Sequence, residues 1–140
     1  MEKILDRLWI GDANDGRNVE SLKANGITAA FNATQETDNW PDDFKAITPY
    51  LRLNQPDGTF ISADKLDSFK AFMDEMYDRK KHTVLIHCAA GVSRASTFTI
   101  LTLILYHGMS WDEGEALVRS VRPIISPHPE LKSSVLTWLH

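Results

Sequence analysis

The sequence predicts a single-domain α/β fold with a mostly parallel central β-sheet flanked by helices. Short apolar runs that suit buried strands alternate along the chain with segments whose apolar residues recur at helical spacing. The chain has 140 residues, 43% of them hydrophobic, which is enough for one hydrophobic core. No internal repeat, low-complexity segment or linker divides it. Because open α/β sheets bind ligands beyond the carboxyl ends of their strands, we expect the functional site there.

The N-terminal part of the chain predicts a strand pair followed by a short helix and a third strand. The dipeptide Asn25-Gly26 is typical of a left-handed cap, so it ends the helix and starts the next strand. The predicted elements are strands at residues 4–5 and 8–10, a turn-rich stretch at 11–16, a helix containing Val19, Leu22 and Lys23, and a strand at 27–32.

The rest of the chain predicts two further strands, four helices and one long polar loop. Ser62 is a predicted helix N-cap, and Ser110 with Glu113 forms a predicted capping box. Leu66, Phe69 and Met73 recur at helical spacing behind Ser62. The predicted elements are a surface loop at 34–43, a strand at 47–53, a helix from 62 to about 80, a strand at 83–87, and helices at 95–107, from 110 and at 130–139.

The segment from His87 to Arg94 combines the only cysteine of the chain with a loop suited to phosphate. Its sequence is His-Cys-Ala-Ala-Gly-Val-Ser-Arg, and it joins a predicted buried strand to a predicted apolar helix. Successive backbone N–H groups in such a loop, together with the positive end of the following helix, favour an anion. Gly91 suits this role because a residue without a Cβ lets the backbone turn tightly and approach a ligand. The candidate phosphate-binding residues are Ala89, Ala90, Gly91, Val92, Ser93 and Arg94.

Three residues of this loop have candidate roles in chemistry or support. The field that attracts phosphate also stabilises a thiolate, so Cys88 is expected to be an ionised nucleophile near neutral pH. The planar guanidinium of Arg94 can pair with two phosphoryl oxygens and follow their charge into the transition state. His87 is predicted to brace the loop backbone rather than to carry a proton.

Through this loop and four further segments, the chain resembles the cysteine-dependent protein tyrosine phosphatase superfamily, which carries an H-C-x5-R signature, and specifically its small dual-specificity branch. The matching segments occur in the family's order: ILDRLWIG at 4–11, GITAAFNAT at 26–34, YLRLNQPD at 50–57, and the stretch 122–139. The resemblance implies one dual-specificity phosphatase-like catalytic domain over residues 1–140. It also implies hydrolysis of phosphotyrosine, with phosphoserine and phosphothreonine as further candidates, through a cysteinyl-phosphate intermediate and without a cofactor. Asn32 resembles the family asparagine that helps to hold the loop, although a turn-forming asparagine is an equally simple interpretation.

The resemblance places the general acid at Asp57. A protonated carboxyl near the ester oxygen contributes roughly 10²- to 10⁴-fold, and the resulting carboxylate would then activate water in the second step. From the residues alone, the sequence Gln-Pro-Asp-Gly at 55–58 is also an ordinary turn. Asp42 and Asp43 follow Trp40-Pro41 but precede the predicted strand at 47–53, whereas the family's acid loop follows that strand. The remaining rivals are Asp38 and Asp64.

Position 95 departs from the family pattern. In most relatives a serine or threonine directly follows the arginine and donates a hydrogen bond to the departing thiolate, whereas this chain has Ala95. Ser96 lies one residue further along the predicted helix, turned by about 100°, and is not expected to substitute. The resemblance therefore implies slow hydrolysis of the cysteinyl-phosphate intermediate.

Composition bounds the partners and the compartment. A net charge of −4 and a pI near 5.7 argue against a broad nucleic-acid footprint or an anionic membrane surface. The longest apolar stretch, residues 98–106, is far shorter than the ~20 residues of a spanning helix, and no signal core is visible. One cysteine excludes an internal disulfide framework, and a reducing compartment best preserves a reactive thiolate, so we expect a cytoplasmic protein. The resemblance implies phosphorylated protein substrates, and we expect a monomer. His82, His107, His128 and His140 lack metal-ligand spacing, so no metal is assigned.

Four alternatives remain open. Some relatives act on phosphoinositides or on RNA 5′-phosphates, but the loop has no lysine to meet the extra phosphates of an inositol lipid. A weakly active module that binds phosphoproteins is favoured slightly by Ala95 and disfavoured by the presence of Cys88, Arg94 and Asp57. Rhodanese-like sulfur transfer also uses a cysteine loop but does not need Asp57.

Arg119 and Arg122 could extend a phosphate-binding surface, although a role at the end of a helix is favoured.

Overall fold

A five-stranded sheet organises the molecule in a computed structural model that describes residues 1–35 and 49–140. Its strands are β1 (Glu2–Leu5), β2 (Leu8–Gly11), β3 (Ala29–Asn32), β4 (Tyr50–Arg52) and β5 (Val84–His87). Their spatial order is β1-β2-β5-β3-β4, so the last strand along the chain lies in the centre. Only β1 and β2 pair in the antiparallel sense, and the other three pairs are parallel. The predicted mostly parallel sheet is therefore confirmed.

Helices cover both faces of the sheet. Those in the described part of the chain are α1 (Ala13–Arg17), α2 (Val19–Ala24), α3 (Ala63–Met73), α4 (Arg94–His107), α5 (Trp111–Val121) and α6 (Pro129–Leu139). A π-helical segment, Asp74–Arg79, continues α3 toward β5. Ser62 caps α3, and Ser110 with Glu113 forms the capping box of α5, as predicted. Gly26 follows α2 with a φ of +71°, as the left-handed cap requires.

Residues 11–16 differ from their prediction. The turn-rich stretch contains the short helix α1, which Asp12 begins by accepting a hydrogen bond from the backbone N–H of Asp15 (2.9 Å). Asp15 accepts one from the backbone N–H of Asp12 in return (2.9 Å). These two bonds provide acceptors for N–H groups that have no intrahelical partner at a helix N-terminus. A single turn of helix can therefore form there.

Side chains that alternate along the strands divide the core between the two sheet faces. One face carries Phe31, whose ring packs 4.7 Å from that of Phe69 and 4.8 Å from that of Phe98, centroid to centroid. The opposite face carries a smaller cluster in which Leu22 of α2 packs with Leu85 of β5. Helix α4 lies over the larger cluster and is buried along its first ten residues. Its buried hydroxyls donate to carbonyls three or four residues earlier, so the helix can be buried without unsatisfied polar groups.

The register of the parallel strands brings three strand ends to one edge. His87 of β5 pairs with Gly11 of β2 on one side and with Asn32 of β3 on the other. The segment 88–93 leaves the sheet between them, at the carboxyl end of the central strand, which is the position expected for a ligand site. Of the rival acids, Asp38, Asp42 and Asp43 lie outside the described residues, as do most of the predicted loop at 34–43 and the start of the predicted strand at 47–53. Within residues 1–35 and 49–140, no helix is both long and apolar enough to cross a bilayer.

Candidate active site

Cys88 occupies the base of the loop between β5 and α4. Its side chain is buried, and its Sγ accepts hydrogen bonds from the backbone N–H groups of Gly91 and Ala95, each at 3.3 Å. Ala95 belongs to the first turn of α4, so the positive end of this helix faces the sulfur. The sulfur thus lies where backbone donors and a helix terminus both favour negative charge.

The carbonyl groups of the loop accept hydrogen bonds from the surrounding protein. In a trans peptide the C=O and the next N–H point in opposite directions. Because the carbonyls of this loop are hydrogen-bonded to the elements around it, the N–H groups that follow them point toward the inside of the loop. This arrangement is what an anion-binding nest needs. The donors are Ala13 N–H to Ala89 O (3.0 Å), Arg122 Nη2 to Ala90 O (3.2 Å), Arg122 Nε to Gly91 O (2.9 Å) and Ser126 N–H to Val92 O (2.9 Å).

Gly91 is required sterically at the turn of this loop. Its φ is +68°, in the left-handed region. A Cβ at this position would lie 2.7 Å from the carbonyl oxygen of Gly11 and 2.7 Å from Nη2 of Arg122. Both the backbone conformation and the close approach of β2 therefore exclude a side chain here.

Arg94 connects the cysteine loop to the turn that carries Asp57. Its guanidinium is buried and donates from Nη1 to the carbonyl oxygen of Gln55 (2.9 Å). Gln55 is itself fully buried, and its Nε2 donates to the carbonyls of Pro56 (3.0 Å) and Thr59 (2.8 Å). The amide of Gln55 therefore fixes the shape of the 55–59 turn, and Arg94 fixes that turn to the loop.

Asp57 lies exposed in this turn. Its Oδ1 accepts the N–H of Gly58 (2.9 Å), and the imidazole of His128 packs beside Gly58, where a Cβ would lie 3.3 Å from Nε2. The backbone N–H of His128 donates to Ser93 Oγ (3.1 Å), so the start of α6 contacts both the turn and the loop. The structure thus brings the elements that carry Asp57 and Cys88 together. Asp64, by contrast, lies exposed in the first turn of α3, where a carboxylate suits the helix dipole.

Asn32 acts at the end of the neighbouring strand. Its Oδ1 accepts hydrogen bonds from the N–H and the hydroxyl of Thr34 (2.9 and 2.7 Å), and its Nδ2 donates to the hydroxyl of Tyr50 (2.9 Å). The next residue, Ala33, donates its N–H to the carbonyl of His87 (3.0 Å). Asn32 therefore forms a turn and braces the strand that flanks the loop, and its hydrogen bonds do not reach residues 88–93.

His87 is fully buried beside Gly16 of α1. A Cβ at Gly16 would lie 2.7 Å from the imidazole, so the small residue makes room for the ring. Burial lowers the pKa of His87 to about 4, and a hydrogen bond with the backbone of Cys88 and the charge of Asp15 only partly oppose this effect. The ring is therefore neutral at neutral pH, as the bracing role expected from the sequence requires.

This neutral histidine predicts a loss of stability in mild acid. An unfolded chain protonates His87 near pH 6.5 and the native protein only near pH 4, so the unfolded state binds more protons between these values. Stability is complete above pH 6.5 and falls as the pH drops toward 4, by about 3 kcal/mol from this residue. Urea unfolding of the protein and of His87→Gln, measured from pH 7.5 to 4.5, should give a shallower dependence for the variant.

The matched control is His140→Gln, which removes an exposed histidine at the end of α6. Burial also lowers the pKa of His107, so the His87 variant should keep a residual slope of the same sign. Equal slopes for the wild type and His87→Gln would show that His87 does not titrate as described.

Arg122 is the residue at this site whose role the sequence prediction missed. It follows α5 as its C-cap, which agrees with the favoured helix-end position, yet its side chain turns inward to the cysteine loop. It also forms an ion pair with Glu2 of β1 (2.6 Å). Glu2 lies 120 residues away in sequence, so no local spacing could have revealed the contact.

A mostly parallel α/β sheet, a buried cysteine in the loop beyond its central strand and an arginine at the start of the next helix form the arrangement expected of the cysteine-dependent phosphatases. Residues 8–140 match the family model described as the catalytic domain of dual specificity phosphatases, and the chain belongs to this family.

Curated relatives agree with the family match. Human dual specificity protein phosphatase 14 is 34% identical over 131 residues, which cover 90% of this chain and 62% of the relative. Dual specificity protein phosphatase 22-A of Danio rerio is 28% identical over 130 residues, which cover 91% of this chain and 60% of the relative. The chain thus spans about three-fifths of the length of these relatives.

Solved structures share the fold. The human tyrosine phosphatase-like serine/threonine/tyrosine-interacting protein superposes with a TM-score of 0.87 at 24% identity, over 99% of this chain and 95% of that one. Human DUSP28 superposes with a TM-score of 0.84 at 21% identity, over 99% of this chain and 94% of that one. At these identities the likeness concerns the fold alone.

Proposed function

We propose that this domain is a protein phosphatase that hydrolyses phosphotyrosine, together with phosphoserine and phosphothreonine, through a cysteinyl-phosphate intermediate. The observation that carries the proposal is the placement of Cys88 Sγ under two backbone N–H donors, in a loop whose carbonyls are held outward. Membership of the dual specificity phosphatase family supports the same reaction. Phosphorylated proteins are the proposed substrates, and the domain is proposed to work as a cytoplasmic monomer without a metal or cofactor.

In the first step the thiolate of Cys88 attacks phosphorus. An S–P bond forms, the ester P–O bond breaks, and Asp57 gives its proton to the leaving oxygen. The loop N–H groups of residues 89–94 and the guanidinium of Arg94 hold the three equatorial oxygens, where charge accumulates in the transition state. Because Arg94 is hydrogen-bonded to the carbonyl of Gln55, the turn that carries Asp57 keeps its position relative to the loop that carries Cys88 during this step.

In the second step water replaces the cysteine. The carboxylate of Asp57 takes a proton from the attacking water, an O–P bond forms, and the P–S bond breaks to return the thiolate and inorganic phosphate. The departing sulfur is received by the N–H groups of Gly91 and Ala95. No hydroxyl at position 95 adds to these donors. The hydroxyl of Ser96 donates to the carbonyls of Val92 (2.7 Å) and Ser93 (2.8 Å), so it serves the loop backbone instead.

This arrangement predicts that breakdown of the intermediate limits turnover. Rapid mixing with labelled aryl phosphate, followed by an acid quench, should show one equivalent of phosphate attached to Cys88 and a burst of released phenol. Ala95→Ser should accelerate the steady-state rate by about tenfold, because one hydrogen bond to a charged group contributes about 1.5 kcal/mol. Ser110→Ala, which alters only the N-cap of α5, serves as the matched control.

The outcomes separate the parts of the proposal. If labelled phosphate never attaches to Cys88, the phosphatase mechanism is wrong. If phosphate attaches but there is no burst and Ala95→Ser is no faster, only the role of position 95 is wrong.

The absent hydroxyl at position 95 also favours a second candidate, a module that binds phosphoproteins and turns them over weakly. Such a module would retain phosphopeptides, and neither Cys88→Ser nor Asp57→Asn would change its slow release of phosphate. Comparison of kcat/KM for phosphopeptides, phosphoinositides and 5′-phosphorylated RNA would separate protein substrates from the lipid and RNA alternatives.

A further inference from the structure

We propose that Arg122, anchored by Glu2, is a positioning residue that keeps the N–H groups of the cysteine loop turned toward the phosphoryl group. This inference rests on the proposed phosphatase function and assigns a role to a side chain that does not touch the substrate.

The guanidinium of Arg122 is held on two sides. Toward the loop, Nε donates to the carbonyl of Gly91 (2.9 Å) and Nη2 to the carbonyl of Ala90 (3.2 Å). Toward the sheet, Nη1 donates to both oxygens of the Glu2 carboxylate (2.8 and 2.6 Å). All three nitrogens of Arg122 are therefore directed at protein acceptors, which argues against the alternative that it extends the surface that binds phosphate.

One of these contacts continues directly to the sulfur. The carbonyl of Ala90 and the N–H of Gly91 belong to the same peptide group, so a cation at the carbonyl fixes the plane of this peptide and polarises its N–H. That N–H donates to Cys88 Sγ (3.3 Å). Arg122 is therefore linked to the nucleophile through one peptide, and its charge favours the anionic form of the sulfur.

The second contact acts on the next peptide. The carbonyl of Gly91 and the N–H of Val92 share a peptide group, so the bond from Nε of Arg122 directs the Val92 N–H away from the guanidinium. Consecutive N–H groups that are held in this way form the concave site that accepts an anion. Because these peptides are fixed before substrate arrives, the loop does not have to reorganise in the transition state.

The ion pair with Glu2 keeps the guanidinium of Arg122 in place behind the loop that binds the phosphoryl group. A buried guanidinium needs a charged or hydrogen-bonded partner, and here both oxygens of the Glu2 carboxylate accept from Nη1 and hold that end of the guanidinium in place. Without Glu2, Arg122 could rotate toward solvent or toward the substrate phosphate. The position of the Arg122 guanidinium also leaves no room for a side chain at Gly91, where a Cβ would lie 2.7 Å from Nη2 of Arg122.

The test compares Arg122→Met, Arg122→Lys and Glu2→Gln with Arg79→Met. Arg79 is an exposed arginine of the π-helical segment that donates to Glu75 and, within residues 1–35 and 49–140, not to the elements that hold the cysteine loop. Three quantities are measured: the dissociation constant of inorganic phosphate, the rate of alkylation of Cys88 by iodoacetamide as a function of pH, and kcat/KM for an aryl phosphate. The first two need no turnover, so they test this inference even if the proposed reaction fails.

We expect Arg122→Met to bind phosphate more weakly and to lower kcat/KM by a factor on the order of 10 to 100, as a displaced catalytic group does. Its alkylation profile should shift to higher pH, because the sulfur loses a cation that favours its anion. Arg122→Lys should recover part of each effect, since a single ammonium cannot serve both carbonyls and Glu2. Glu2→Gln should move all three quantities in the same direction by less.

Circular dichroism and thermal unfolding establish that each variant is folded. If Arg122→Met does not fold, Glu2→Gln and Arg122→Lys carry the test. Phosphate affinity and an alkylation profile that stay within twofold of the wild type in the folded loop variants would overturn the inference. Equal losses in Arg79→Met would also overturn it, because they would show a general effect of removing a positive charge.

Discussion

Cys88→Ser is expected to abolish hydrolysis of an aryl phosphate while leaving the affinity for inorganic phosphate within a few-fold of the wild type. A serine hydroxyl fits under the N–H groups of Gly91 and Ala95 but is not ionised near neutral pH, so it cannot replace the thiolate as a nucleophile. The loss in kcat should be on the order of 10⁴-fold or more, as it is when a covalent nucleophile is removed. The loop amides and Arg94, which bind the anion, are unchanged by the substitution.

Steady-state kinetics and a phosphate-binding titration on the same preparation provide the measurement. Cys88→Ala is the second variant, because it removes the oxygen as well and tests whether a hydroxyl in place of the sulfur disturbs the loop. Both variants should be inactive and both should bind phosphate. Residual activity above about one per cent in either variant would refute Cys88 as the nucleophile, since catalysis without it retains only transition-state binding.

Asp57→Asn is expected to reduce kcat/KM, which reports the first chemical step, by a factor on the order of 10² to 10⁴, the usual contribution of general acid–base catalysis. An amide can accept the same hydrogen bond from the N–H of Gly58 as the carboxylate does, so the turn should keep its shape. The loss should be larger for an alkyl phosphate than for p-nitrophenyl phosphate, because the nitrophenolate leaves without needing a proton. The measurement is kcat/KM for both substrates with the wild type and the variant, because breakdown of the shared intermediate would hide the leaving group in kcat.

Asp64→Asn is the matched control, since Asp64 is an exposed aspartate only seven residues further along the chain, in the first turn of α3. It should leave kcat/KM for both substrates unchanged. Equal losses with both leaving groups would argue that Asp57 shapes the turn and does not donate a proton. If Asp42→Asn or Asp43→Asn produced the leaving-group dependence and Asp57→Asn did not, the acid would lie in the segment after Trp40-Pro41.

The elements of the fold were predictable where their signals are local. The apolar run at 83–87 and the capping box of Ser110 and Glu113 each involve residues within one strand or one helical turn, and the structure confirms both elements. Helix α1 was missed because its box uses Asp15 in place of the glutamate or glutamine that usually marks a capping box. The cysteine loop was predictable because its residues are contiguous and lie between a strand and a helix.

The support of the site was not predictable, because it comes from residues that are far apart in sequence. Arg122 reaches carbonyls 31 and 32 residues earlier and a carboxylate 120 residues earlier. Arg94 reaches the carbonyl of Gln55, 39 residues earlier. Such contacts depend on how the sheet and helices pack together. They can therefore be identified only when the topology of the fold is known. A single sequence shows which residues could take part in chemistry but not which side chains hold them.

The outermost strands of the sheet have a consequence for handling the protein. β1 has four residues and β4 three, so each outer border offers only a few backbone N–H and C=O groups. A strand border of this kind is where a foreign chain can add to a sheet and begin aggregation, and a short border is a poor template for such growth. Among residues 1–35 and 49–140, the sheet therefore offers little backbone for edge-to-edge pairing between two copies of the domain.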